Sequence, residues 1–184
     1  MEAFWISTGI VALAEIGDKT QLLALVLAAK YRKPVPIILG ILVATLLNHA
    51  VAGYFGAWLA VTIGEQMLKW ILGVSFIAMA GWMLIPDKLD DEEERPARFG
   101  VFLTTLIAFF IVEIGDKTQV ATVFLAAKYA DVIAVVAGTT VGMMVANVPA
   151  VLLGEVAAKK LPMHLVHSVV AIVFLVLGLV ILLN

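Results

Sequence analysis

The chain has 184 residues, 63% of them hydrophobic and 14% charged, with a formal net charge of −2 and no cysteine. A soluble domain carries about 45–50% apolar and about 25% charged residues, so an ordinary soluble core is excluded. The lack of cysteine excludes a disulfide framework and a thiolate metal site, and the near-neutral charge gives no sign of a nucleic-acid partner.

Read in order, the apolar residues fall in runs of roughly 20 or more, enough to cross a bilayer core of about 30 Å. Six transmembrane segments are predicted, at 3–29, 34–63, 66–86, 99–127, 132–157 and 162–183. Backbone groups in lipid must be satisfied internally, so these segments are expected to be helices. Met1 and Glu2 do not form the basic n-region of a secretory signal, and the first helix is expected to be retained. Breaks fall at YRKP from Tyr31, GEQ from Gly64, KYAD from Lys128 and KKLP from Lys159. The third and fourth segments are joined by DKLDDEEERPAR, Asp87 to Arg98, with six acids and three bases. It reads as a solvated linker, with weak metal collection as the sharper alternative.

That linker separates two similar halves. At an offset of 98, AEIGDKTQLLALVLAAKY from Ala14 pairs with VEIGDKTQVATVFLAAKY from Val112, identical at twelve of eighteen positions. Gly40 also falls on Gly138 and Gly56 on Gly154. The expected fold is an all-α polytopic membrane protein built from two three-helix repeats, 1–86 and 99–184. An odd number of helices per repeat makes the second one inverted, a plan used by secondary transporters with a midplane site. Eight loop bases lie on one side (Lys30, Arg32, Lys33, Lys88, Arg95, Arg98, Lys159, Lys160), against Lys69 and Lys128 on the other. The positive-inside rule then puts the linker in the cytoplasm and both termini outside.

The two EIGDKTQ motifs sit near the midpoints of the first and fourth segments. Each ionised side chain there costs roughly 2.5–3.5 kcal/mol, so six unpaired ones would rival the about 5–15 kcal/mol stability of a typical domain. They must face one another or a wet cavity. Glu15, Asp18 and Gln21 are three apart, as are Glu113, Asp116 and Gln119, which on a continuous helix puts each set on one face. Gly17 and Gly115 allow close packing or a local break, and the long first segment is expected to kink or tilt. Four converging carboxylates suit a hard divalent cation such as Mn²⁺, Ca²⁺ or Mg²⁺. Against Lys19 and Lys117 they leave a charge of −2, which one divalent ion or two protons would balance. The lysines could instead pair locally with Glu15 and Glu113 at i+4. Buried ion pairs that merely hold helices together are the plainer alternative.

Asn48 and Asn147, near the middles of the second and fifth segments, are candidate ligands through their amide oxygens, or interhelical hydrogen-bond donors. Pro149 frees a helical carbonyl or makes a kink. His49 reads as a packing or hydrogen-bonding residue. Thr20 and Thr118 are second-tier ligand candidates. Gly138 and Gly142 form a G-x-x-x-G packing motif from which no oligomer follows. His164 and His167 read as interfacial, and Trp5, Trp58, Trp70 and Trp82 as interfacial anchors.

The pattern E-x-G-D-[KR]-[TS], twice in a small protein of two three-helix halves, resembles the family of Golgi-type calcium/manganese–proton exchangers and the bacterial MneA-type manganese exporters. Both EIGDKT copies, at Glu15 and Glu113, fit it without departure. The resemblance implies Mn²⁺ or Ca²⁺ transport, with Glu15, Asp18, Glu113 and Asp116 as the ion site. The short N-terminal end resembles the bacterial members, which implies export from a cytoplasm across an inner membrane. A cation channel with an acidic ring and a small amino-acid exporter are the competing functions. No H-E-x-x-H, G-x-S-x-G or nucleotide-binding loop is present, so neither an enzyme nor a nucleotide-driven pump is expected, and no prosthetic group.

Overall fold

The computed structural model describes residues 1–85, 100–153 and 163–183; the linker 87–98, Gly154, Lys159 and Lys160 lie outside the described residues. The described chain is helical. The first predicted segment forms two helices, α1 (Glu2–Glu15) and α2 (Lys19–Tyr31). The fourth does the same, as α5 (Val101–Glu113) and α6 (Lys117–Tyr129). The other four are single: α3 (Pro34–Thr62), α4 (Glu65–Trp82), α7 (Val132–Leu153) and α8 (Met163–Leu183). Pro149 sits inside α7, which continues past it.

The kink expected in the first segment is therefore a full break, and it occurs twice. Ile16 is extended at φ −64°, ψ 115°, and Ile114 matches it at φ −63°, ψ 118°. Gly17 follows at φ 82° and Gly115 at φ 75°, a region that costs a side-chain-bearing residue roughly 1–2 kcal/mol. Asp18 and Asp116 then return the chain to extended geometry and start the next helix, a position that suits aspartate. The i, i+4 pairing of Lys19 with Glu15, and of Lys117 with Glu113, needs a continuous helix. The break removes it.

Packing is reciprocal between the halves. α1 lies mainly on α7, and its sequence counterpart α5 lies mainly on α3, while α4 packs on α8. The small residues make these approaches possible. A Cβ on Gly40 would come 2.7 Å from Thr105 Cβ and 2.9 Å from the Phe102 carbonyl oxygen. Gly138, 98 positions on, meets the carbonyl of Phe4 and the Cβ of Ser7 in the same way. The G-x-x-x-G of Gly138 and Gly142 thus serves contact with α1 inside the chain. Phe76 of α4 and Phe174 of α8, also 98 apart, stack on each other at 5.7 Å. One apolar cluster joins α1, α4, α6 and α8; a second joins α2, α3 and α5, and α7 contributes to both.

The outside of the bundle is apolar. Val35, Val51, Tyr54, Val61, Val74 and Ile133 are exposed, as are Trp5, Trp58 and Trp70 near helix ends. A continuous apolar exterior of this kind needs lipid or protein around it. Two helices, Pro34–Thr62 and Val132–Leu152, are long and apolar enough to cross a membrane. The motif carboxylates lie inside, with Thr45, Asn48, His49, Thr139, Thr140 and Asn147 of α3 and α7.

Gly115→Ala tests the break. Open space surrounds the position, so the added methyl is resisted only by the backbone. The substitution should lower stability by about 1–2 kcal/mol, read as a lower melting temperature in detergent. A continuous helix would instead gain about 1 kcal/mol from the same change.

Candidate metal centre

The two breaks bring the motifs together. One carboxylate oxygen each from Glu15, Asp18 and Asp116 lie within 4.8 Å of one another. All three residues are buried, at 0%, 3% and 2% exposure. A calcium-sized ion with ligands at about 2.3–2.6 Å has opposite oxygens about 4.6–5.2 Å apart, and a magnesium-sized ion about 4.0–4.2 Å. Oxygens no further apart than this can ligate one hard divalent cation together.

Glu113, the fourth predicted carboxylate, falls outside this triad. Its Oε1 accepts from Thr45 Oγ1 at 2.7 Å and its Oε2 from Asn48 Nδ2 at 3.1 Å. Both oxygens are thus held by α3. Glu15 is held less completely: its Oε1 accepts from Asn147 Nδ2 at 3.3 Å, while its buried Oε2 has no hydrogen-bond partner among the described residues. The buried Asn147 Oδ1 and Thr20 Oγ1 also have none. Buried oxygens without donors are rare in proteins, and a cation is one of the few things that satisfies several at once.

The lysines do not behave alike. Lys19 reaches across the halves, with its Nζ 3.4 Å from Asp116 Oδ1. Lys117, 3% exposed, donates to the carbonyl of Ile85 just after α4, at 2.8 Å. Asp116 uses its other oxygen to cap α6, accepting from the Thr118 N–H at 3.2 Å and the Thr118 hydroxyl at 3.0 Å. Asp18 makes no such cap on α2.

The glutamines brace the breaks. Gln21 Oε1 accepts from the Gly17 N–H at 2.9 Å and Gln119 Oε1 from the Gly115 N–H at 2.7 Å. Their amide nitrogens hold the facing helices: Gln21 donates to the Ala146 carbonyl at 3.1 Å, and Gln119 to Asn48 Oδ1 at 3.3 Å. Both glutamine oxygens, and that of Asn48, are thus committed to the protein here. Asn147 also donates to the Met143 carbonyl at 3.1 Å. His49 is fully buried, and neither ring nitrogen has a hydrogen-bond partner among the described residues. Sequence reasoning missed Thr45 and the Ile85 carbonyl. Thr45 lies three residues before Asn48 on one helical face, a spacing that could have found it. The side chains of His164 and His167 lie outside the described residues.

The model of the divalent cation/proton antiporter family GDT1 matches residues 3–91 and 101–184. The chain belongs to this family. A Vibrio cholerae protein named "Putative manganese exporter" is 55% identical over 180 residues, covering 97% of this chain and 90% of that protein. A GDT1-like protein of Synechocystis is 24% identical over 98% of this chain and 96% of its own length. GDT1-like protein 3 of rice is 24% identical over 95% of this chain and 71% of its own length. No solved structure matches. As a GDT1 member the chain is an integral membrane transporter of divalent cations and protons, not an enzyme.

Thr45→Val keeps the shape of the side chain and removes the donor to Glu113. It should destabilise the protein by about 0.5–2 kcal/mol, seen as a lower melting temperature in detergent.

Proposed function

We propose that this chain exports Mn²⁺, with Ca²⁺ as the second cation it can carry, in exchange for H⁺ across a bacterial inner membrane. It works by alternating access, as two inverted three-helix repeats, 1–86 and 99–184. The linker 87–98 faces the cytoplasm and both termini face outside. The observation that carries the reading is the triad of Glu15, Asp18 and Asp116, assembled from both motifs where both helices break. The family supports cation/proton exchange, and the name of the Vibrio cholerae relative supports manganese and export.

The charges suit exchange. Fully ionised, the triad with Lys19 carries −2, while Glu113 and Lys117 are held apart from it by α3 and by Ile85. One divalent cation cancels that charge, and so do two protons. The empty carrier returns across the membrane only when it has taken up protons, since an uncompensated pair of charges is costly in lipid. Glu15, Asp18 and Asp116 form the cation's ligand core, with Asn147 and Thr20 supplying neutral oxygens. Glu113, Asn48, Gln21, Gln119 and Thr118 shape that core here. They join the ligand set when the centre rearranges.

Proteoliposomes holding a pH dye test this. Mn²⁺ added on one side should drive proton release on the same side, and Asp18→Asn or Asp116→Asn should reduce Mn²⁺ uptake to background. Cation flux indifferent to a pH gradient would sink the exchange mechanism and favour a channel. Titration of the purified protein separates the glutamates. Glu15→Gln should weaken Mn²⁺ binding by about 10–100-fold, and Glu113→Gln by clearly less, because both Glu113 oxygens are already engaged.

A further inference from the structure

The scaffold is symmetric in detail, and its polar centre is not. At an offset of 98, α4 and α8 begin together, at Glu65 and Met163. The glutamine braces recur at Gly17 and Gly115. Arg32 and Ala130, which end α2 and α6, share φ 51°. Gly40 meets Phe102 and Thr105, and Gly138 meets their counterparts Phe4 and Ser7. Phe76 stacks on Phe174, its own counterpart.

Three matched pairs in the centre depart from this symmetry. Lys19 bridges to Asp116, whereas Lys117 donates to the Ile85 carbonyl. Asp116 caps its helix, whereas Asp18 does not. The glutamates differ as well, Glu113 with both oxygens hydrogen-bonded and Glu15 with one, but this inequality is fixed by sequence, since Met143 and Ala146 stand in α7 where α3 has Thr45 and Asn48, so only the lysines and aspartates can exchange roles. The exposure of the lysines splits the same way, with Lys19 at 24% and Lys117 at 3%. A symmetric frame around an asymmetric core has a second arrangement of the same kind, with the roles of the halves exchanged. The counterparts of Lys19–Asp116 are Lys117 and Asp18, and the counterpart of Ile85 is Leu183, the last residue of α8.

We propose that Lys19 and Lys117 exchange partners between the two access states: in the opposite-facing state Lys117 pairs with Asp18, and Lys19 donates to the carbonyl of Leu183. The inference rests on the alternating-access reading above and specifies what moves. Each ammonium passes between a carboxylate at the centre and a carbonyl at the end of a third helix. Each lysine therefore favours the state in which it bridges the halves, and the two oppose each other. A cation arriving at the triad competes with the bridging lysine for its aspartate.

The chain has no cysteine, so single reporters at Ile16→Cys and Ile114→Cys, one in each break, can be labelled in vesicles without background. A membrane-impermeant thiol reagent is added from either face. Lys19→Met and Lys117→Met should shift the inside-to-outside labelling ratio in opposite directions, each by about fivefold or more. Lys19→Arg and Lys117→Arg should keep the ratio of the unsubstituted chain. Shifts in the same direction, or no shift, would overturn the exchange. A second arm needs no variant. An impermeant amine-acylating reagent, read by mass spectrometry on the natural chain, should modify Lys19 from one face and Lys117 from the other; modification of both from one face would overturn it equally. Mn²⁺-driven proton release is measured in the same vesicles. If it is present while the lysines shift together, the lysine exchange falls and the antiport reading stands. If it is absent, antiport fails, and the labelling arms still decide on the lysines.

Discussion

A helix interrupted inside a bilayer releases backbone N–H and C=O groups where no bulk water can take them up. Everything else in this protein follows from how that problem is met. Glycine at positive φ turns the chain without strain. The aspartate that follows starts the next helix, and a glutamine three residues later returns its side-chain oxygen to the glycine N–H. The same three-part solution appears in both halves. It leaves a glutamate at the end of one helix and an aspartate at the start of the next. The carboxylate cluster and the backbone repair are thus the work of one heptapeptide, EIGDKTQ.

That shared duty explains why the motif is so polar and so constant between the halves. Gln21 and Gln119 look like ligands on a list of oxygen donors, yet their oxygens are occupied by the turn and their nitrogens by α7 and α3. The centre is then fastened by residues of α3 and α7 that differ between the halves: Thr45 and Asn48 hold Glu113, and Asn147 holds Glu15. Near-identical motifs set into unlike walls give a centre with unequal sides.

Much of this was legible in the sequence. Segment ends matched the helices to within a few residues, because Pro34, Gly64 and the KYAD stretch punctuate long apolar runs. The cost of burying charge led to the expectation that all four carboxylates meet; Glu15, Asp18 and Asp116 do, while Glu113 is taken up by Thr45 and Asn48. The break did not, since a single glycine between apolar residues reads equally as a packing notch or a turn. Assuming a continuous helix also kept open a pairing of each lysine with the glutamate four residues before it, whereas Lys19 crosses to Asp116 and Lys117 reaches Ile85. Spacing puts Thr45 on the helical face of Asn48, but it does not name Glu113, 68 residues away, as the group both take up.

The first half cannot complete itself. The amide that holds Glu15 belongs to Asn147, 132 residues further along, and the helix against which α1 packs is α7. During synthesis from the N-terminus, α1 and α2 reach the membrane with their carboxylates long before these partners exist. Glu15 and Asp18 must stay hydrated, protonated or sheltered by the insertion machinery until the fifth segment arrives. Order of birth is therefore a constraint on this protein that its finished structure does not display: the carboxylates of the first motif are the groups that the nascent chain is least able to bury.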